Sequence, residues 1–304
     1  MSTIMNFENF RNKLMEDLTH RFYSEGHPAQ LRVCTIDVNN GQESKIEVKF
    51  EESKTGQYIP VRLLYSSIMD GEDYNDLLSE LYSSLIRNLK NHDFSNDLTN
   101  ARDEFEKKVF FRLVSVDLNK DMLLRVPHRI IEGIDLAITY RLTVRFEEGD
   151  GLASALIENE NCEYSEEELY NMALKNTPIM FPEEFMSIWD KFDALSFLKD
   201  DKDAMYILGN KFGINGASVM AYPDCLKNVS EKMEGIYGNG DFYVLPSSIH
   251  EVIVFSSQTT FSEGYMLDVI REANSKMSNG RDILSHSLYF YKKDTGRLEI
   301  ARTY

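Results

Sequence analysis

The sequence predicts an α+β protein of antiparallel or mixed sheets with packed helices, arranged as two subdomains. Three observations carry that expectation. Tyr74–Leu89 repeats apolar residues at helical spacing, Ile134–Phe146 alternates apolar with polar residues, and much of the remaining chain consists of short strand-like runs joined by tight turns. Helix and strand periods occur side by side, without the regular strand–helix alternation of a parallel sheet. That pattern belongs to antiparallel layers with helices packed on them.

The elements follow in order. Phe7, Phe10, Leu14, Leu18 and Phe22 recur close to every 3.6 residues, which predicts a helix ending near Gly26. Leu31–Val38 and Ser44–Phe50 read as strands joined through Asn39, Asn40 and Gly41. Asn and Gly tolerate the positive φ that a hairpin turn needs. Tyr74, Leu77, Leu78, Leu81, Tyr82, Leu85, Ile86 and Leu89 mark the cleanest helix. Asn91–Lys108 is charged and irregular and is expected to be partly helical, and Val109–Val116 reads as a strand. Along Ile134–Phe146, Ile134, Leu136, Ile138, Tyr140, Leu142, Val144 and Phe146 point one way. Asp135, Thr139, Arg141, Thr143 and Arg145 point the other, so a long strand with one wet face is predicted. Glu147–Gly151 turns the chain and Leu152–Ile157 returns. Ser165 with Glu168 makes a capping box, opening a helix expected to stop near Asn176, before Pro178.

Phe181–Asp203 is acidic and holds the single tryptophan, Trp189. It is read as a connection (181–203) between an N-terminal region, 1–180, and a C-terminal region, 204–304. The C-terminal region reads as strands Ala204–Leu208 and Ala217–Ala221, a helix Pro223–Met233, and strands Phe242–Leu245 and Glu251–Phe255. A helix at Ser262–Met277 and a hairpin of Ser287–Tyr291 with Arg297–Ala301 complete it. Pro223 suits a first helical turn, where no N–H is needed.

Composition narrows the function classes. The net charge of −17 argues against direct binding to nucleic-acid phosphate or to an anionic membrane. Over half of the excess lies in Glu158–Asp203, where 13 acids face four lysines. The hydrophobic share of 42% supports a substantial core. Cys34, Cys162 and Cys225 are widely spaced, with no CxxC, so neither a disulfide framework nor a cysteine zinc site is expected. The N-terminus lacks a basic stretch followed by an apolar run, and no segment approaches the ~20 apolar residues of a membrane span. A cytoplasmic protein is the expectation.

Ser247, Ser248, His250 and Glu251 put hydroxyl, imidazole and carboxylate within five residues. A Ser–His–acid relay needs those groups convergent in space. No GxSxG elbow exists, and a strand starting at Ile249 sends His250 and Glu251 to opposite faces. The serines therefore read as turn formers after Pro246, and His250 as a partner for a buried backbone group. His250-Glu251 begins an HExxH zinc motif, but Val254 stands where the second histidine belongs. No other histidine has a ligand-like partner, so no metal and no cofactor are expected. Gly209–Gly216, carrying Asn210, Lys211 and Asn215, lacks the GxxxxGK(S/T) phosphate-loop spacing and reads as a hairpin loop. Arg129 with Arg141 and Arg145 forms a candidate cationic groove for carboxylate or phosphate, weighed against pairing with the abundant acids.

Several strings carry a resemblance. They are Lys108–Leu113, Val126–Arg129, Ile134–Ala137, Glu168–Tyr170 with Ala173–Pro178, Met205–Leu208, Asn215–Ala217 and Tyr243–Val252. Together they resemble domain of unknown function 5688, over most of the chain and weakest before about Asn100. The resemblance implies a stand-alone cytosolic protein of Firmicutes-type bacteria. It carries no activity, mechanism or catalytic residue across.

The leading functional expectation is a non-enzymatic protein that binds another protein, through its acidic middle. The alternative is a small-molecule-binding module or hydrolase-like enzyme with its pocket near Ser248, His250 and the Asn210–Gly216 loop.

Overall fold

The computed structural model describes residues 6–53, 56–91, 101–147, 151–191, 202–277 and 280–304. By contacts the chain divides into two units, Met1–Val38 with Gln42–Arg102, and Asn39–Gly41 with Asp103–Tyr304. The stretch 181–203, read from sequence as the connection, has its described residues inside the second unit. The fold is α+β, with its strands in three antiparallel sheets.

The first unit holds α1 (Phe7–Ser24), β1 (Ala29–Val38), β2 (Gly41–Phe50), β3 (Gln57–Ile59), α2 (Val61–Met69) and α3 (Tyr74–Asn91). Asn6 caps α1, its side chain accepting from the Asn9 N–H at 2.8 Å. Phe10, Leu14, Leu18 and Phe22 form the buried stripe, and they pack on Ile46, Val48 and Phe50 of β2 and on Tyr82 and Leu85 of α3. Asn40, at φ 60°, supplies the left-handed turn between β1 and β2. The sheet runs β1-β2-β3, so β1 is outermost. None of its ten residues is buried.

α4 (Ala101–Lys108), whose first two residues belong to the first unit, leads in the second unit into β4 (Val109–Ser115), α5 (Lys120–Leu123), β5 (His128–Ile130), β6 (Leu136–Glu147) and β7 (Gly151–Leu156). β6 is central: β4 pairs along one edge, and β5 and β7 share the other. Next come α6 (Glu166–Met180), β8 (Glu183–Ser187), β9 (Tyr206–Asn210), α7 (Cys225–Tyr237), β10 (Phe242–Leu245), β11 (Glu251–Ser256), α8 (Glu263–Lys276), β12 (Ser287–Lys292) and β13 (Arg297–Thr303). The second sheet of this unit has the order β13-β12-β10-β11-β9-β8. Its inner face joins the β4–β6 sheet in one large core that includes Phe111, Ile138, Tyr140, Leu208, Val219, Val244, Val254 and Tyr289.

Local chemistry accounts for most boundaries. The Ser165–Glu168 capping box is formed reciprocally at the start of α6. α6 runs past Asn176 to Met180 and carries Pro178 inside it. At that position a proline removes one bond from the final turn, and the Phe181 N–H still closes on Thr177 O at 2.8 Å. Residues 216–221 form a 3-10 helix, not a strand. Gly216–Met220 is buried in succession, and a buried apolar run of that length does not distinguish a strand from a tight helix. The Gly209–Gly216 stretch is therefore a strand-to-helix connection and not a hairpin loop.

Two polar devices tie the second unit together. The Asp135 carboxylate accepts from Tyr289 Oη at 2.6 Å, Ser285 Oγ at 2.8 Å and Ser287 Oγ at 3.0 Å. Tyr289 is fully buried, and burial together with the nearby Asp135 charge pushes its phenol far above its usual range. Along the outer edge of β4, the Phe111 N–H donates to Thr177 Oγ1 at 3.1 Å and the Leu113 N–H to Ser218 Oγ at 3.2 Å. Both hydroxyls are buried.

The face of β6 expected to be wet is covered. Thr139 is 0% exposed, and Val114, Met122, Leu123, Val126 and Ala137 build a small core on that side. Arg141 and Thr143 are only half-buried there, whereas the side chain of Arg145 lies outside the described residues.

Candidate functional site

The polar knot after Pro246 is a hydroxyl-capped bend. Ser248 Oγ accepts from the N–H groups of His250 at 3.0 Å and Glu251 at 3.3 Å. Ser247 Oγ donates to Glu251 O at 2.9 Å. Both hydroxyls are thus turned on the backbone of their own bend, and neither is bonded to the imidazole. His250 Nδ1 accepts from the Asn215 N–H at 3.4 Å, which places the ring proton on Nε2, 3.6 Å from Asp282 Oδ1. Seryl oxygen, imidazole and Glu251 carboxylate do not assemble as a relay.

The same bend borders a depression of about 260 Å³, lined by Glu184, Ile207, Lys211, Phe212, His250 and Glu251 among others. His250 and Glu251 both line it. The expected opposition of their faces fails because His250 precedes β11 and sits in a bend, where strand alternation does not apply. Asn210 holds the floor loop: its Nδ2 donates to Ile214 O at 2.7 Å, and its Oδ1 accepts from the Phe212 N–H at 3.0 Å. Asn215 takes the left-handed conformation, φ 51°, that points its N–H at His250. Gly216 packs so tightly that a Cβ there would lie 2.2 Å from His250 O and 2.9 Å from Asn210 N. Lys211 is exposed, 5.8 Å from the centre of its neighbour Phe212's ring.

Strand register supplies what sequence reasoning missed. Gly209 is opposite Glu184 on one side and Glu251 on the other. Two carboxylates from neighbouring strands therefore flank a position without a side chain. Residues 184, 209 and 251 carry no mutual spacing from which that juxtaposition is readable.

Arg129 stands elsewhere. It is opposite Ile138, on the face of β6 away from Arg141, so the expected three-arginine groove is split. Its guanidinium makes a fork to Glu166 at 3.0 and 2.8 Å, reaches Glu167 at 2.5 Å, and stacks 3.8 Å from the Tyr170 ring centre. Burial alone lifts the Glu166 carboxyl, but hydrogen bonds from Arg129 and Tyr140 outweigh it and hold the group below its usual range.

Among the described residues, no group of three or more His, Cys, Asp or Glu side chains is placed to hold a metal. No helix among them is long and apolar enough to cross a membrane. Cys34, Cys162 and Cys225 are free thiols. Burial pushes the Cys225 thiol well above its usual range, which makes it a packing residue and not a nucleophile.

The family whose model matches this chain is a family of unknown function, DUF5688, over residues 7–293. No curated protein and no solved structure matches it.

Proposed function

Because the chain belongs to DUF5688, a family of unknown function, we propose from the site alone that it acts by binding, in a bacterial cytoplasm, and not by covalent catalysis. Its ligand is a small zwitterion of amino-acid size, held in the depression beside His250. The observation that carries this reading is the register of Glu184 and Glu251 on either side of Gly209. An ammonium group fits between the two carboxylates, and the opposite charge of the ligand meets Lys211 at the rim. His250 Nε2–H supplies a further donor. Asn210 and Gly216 hold the loop in one conformation, so little ordering entropy opposes binding.

Thermal denaturation of the full chain against a panel of free amino acids and dipeptides tests it. A ligand present at a hundredfold excess over its Kd raises stability by about 2.7 kcal/mol. The Glu251→Gln and Lys211→Ala variants are expected to weaken that ligand by roughly tenfold or more, the usual loss on removing a charge-assisted bond. A panel with no stabilising member overturns the reading.

A second reading keeps a protein as the ligand, and β1 favours it. Ten residues long, outermost and without a buried side chain, β1 presents a backbone edge that pairs with no other strand among the described residues. Such an edge accepts a strand from a partner. Of the acidic stretch 181–203, first expected to make that contact, residues 192–201 lie outside the described residues. Capture of a defined protein by the wild-type chain, abolished by Val33→Lys on the exposed side of β1, supports this reading. Capture that Val33→Lys leaves intact removes it.

A further inference from the structure

The covered face of the β4–β6 sheet carries two arginines that no carboxylate bonds among the described residues. Arg112 is opposite Thr139, and Arg141 is opposite Phe110. They are diagonal neighbours on one face of adjacent strands, a spacing that long side chains bridge. Arg112 Nε is shut off from solvent and meets no acceptor among the described residues. Arg141 bonds only to Ser154 among the described residues, through Nε to Oγ at 3.0 Å and Nη2 to the main-chain O at 3.5 Å. Thr143 Oγ1, two residues along β6 on the same face, is also shut off from solvent without a partner among the described residues. Asp282 is the carboxylate whose field reaches Arg112, and its Oδ1 lies 3.6 Å from His250 Nε2.

The electrostatics are unusual. Burial, and then the like charge of Arg141, push the Arg112 guanidinium down to about 9. Burial pushes Arg141 down to about 10. Both therefore stay charged at neutral pH. Two like charges lie side by side on a partly buried face with no bonded counter-charge among the described residues, which is a costly arrangement unless something supplies one. Arg129, on the opposite face, shows the ordinary solution in this acidic chain, where two glutamates bind a single arginine.

We propose that Arg112 and Arg141, with the hydroxyl of Thr143, form a binding site for a phosphate group. The donors are all cationic or hydroxyl, and two guanidinium charges match a phosphate dianion better than a single carboxylate. The guanidinium fork pairs two phosphate oxygens at once, and partial burial strengthens each bond. The site uses none of the residues that line the depression beside His250, so neither proposal depends on the other.

The test uses the full chain in anion-free buffer, with inorganic phosphate, a phosphorylated sugar and citrate as probes. Phosphate or the phosphorylated sugar is expected to raise the melting temperature in a saturable manner, and citrate is not. Arg112→Met and Arg141→Met are each expected to weaken phosphate binding by roughly ten- to a hundredfold. Without anion, Arg112→Met is expected to melt at the same or a higher temperature than wild type, because an unmatched buried charge has been replaced by an apolar chain of similar length. A purely structural arginine predicts the reverse, a loss of stability in anion-free buffer with the phosphate response unchanged. That result overturns the proposal. So does a wild-type chain whose melting does not respond to either phosphate probe, an outcome that needs no variant to fold.

Discussion

Asp135→Ala is expected to lower the stability of the second unit by about 3–5 kcal/mol, enough to unfold much of a marginal population. The carboxylate accepts three hydroxyl protons, from Ser285, Ser287 and Tyr289. All three donors are buried, Tyr289 completely. Alanine removes the shared acceptor of all three; Ser287 Oγ keeps its contact with Thr303 Oγ1 at 2.8 Å, and each donor left orphaned costs about 1–3 kcal/mol, less whatever water recovers. Asp135→Asn keeps the shape and one acceptor oxygen, so it is expected to cost less than half as much. Tyr289→Phe removes one donor and leaves the carboxylate with two, for a loss of about 1 kcal/mol. Denaturant titration followed by the fluorescence of Trp189 separates the three. A cost for Asp135→Ala no larger than that of Tyr289→Phe would show that the three bonds are replaceable by solvent.

Gly216→Ala is the second large effect, and it acts through shape. The added methyl would lie 2.2 Å from His250 O, in the bend before β11, and 2.9 Å from Asn210 N, at the end of β9, both backbone atoms. Neither yields as a flexible side chain would, so the overpacking cost is at the high end, about 3 kcal/mol. For a unit of this size that corresponds to roughly 6–12 °C in Tm. The same push moves His250 and Asn210 apart, so any ligand of the depression is expected to be lost with it. Gly235→Ala provides the control. That glycine lies inside α7 with nothing within 4 Å of a new Cβ, and alanine there is expected to raise stability by about 0.5–1 kcal/mol. Equal Tm values for Gly216→Ala and wild type would mean that the bend moves freely.

The contrast between these positions shows which parts of the molecule are readable from the chain alone. Local patterns are readable. The stripe Phe10, Leu14, Leu18, Phe22 predicts α1, and the Ser165–Glu168 pair predicts the start of α6, because their physics acts within a turn or two of helix. Ser247 and Ser248 are legible as turn formers for the same reason. Relations between distant segments are not readable. Alternation along β6 says that its two faces differ, but not that the polar one is covered by Met122, Leu123 and Val126. Nor does it place Arg129 opposite Ile138, which only register decides. Arg112 looks like an ordinary polar residue in a strand until its neighbours are known. Glu184 and Glu251 are 67 residues apart in number and become a pair only through β9 between them. The Gly216–Met220 run misleads because strand and 3-10 helix present the same apolar content over five residues.

The hydroxyls of Thr177 and Ser218 have one more consequence. A strand at the rim of a sheet is a template on which another chain can grow, and fibrils begin by that kind of templating. On β4 the outward amides of Phe111 and Leu113 are already occupied by those two side chains. The apolar sequence Val109–Ser115 is therefore a poor seed for aggregation while the fold is intact, although its composition alone would mark it as a good one.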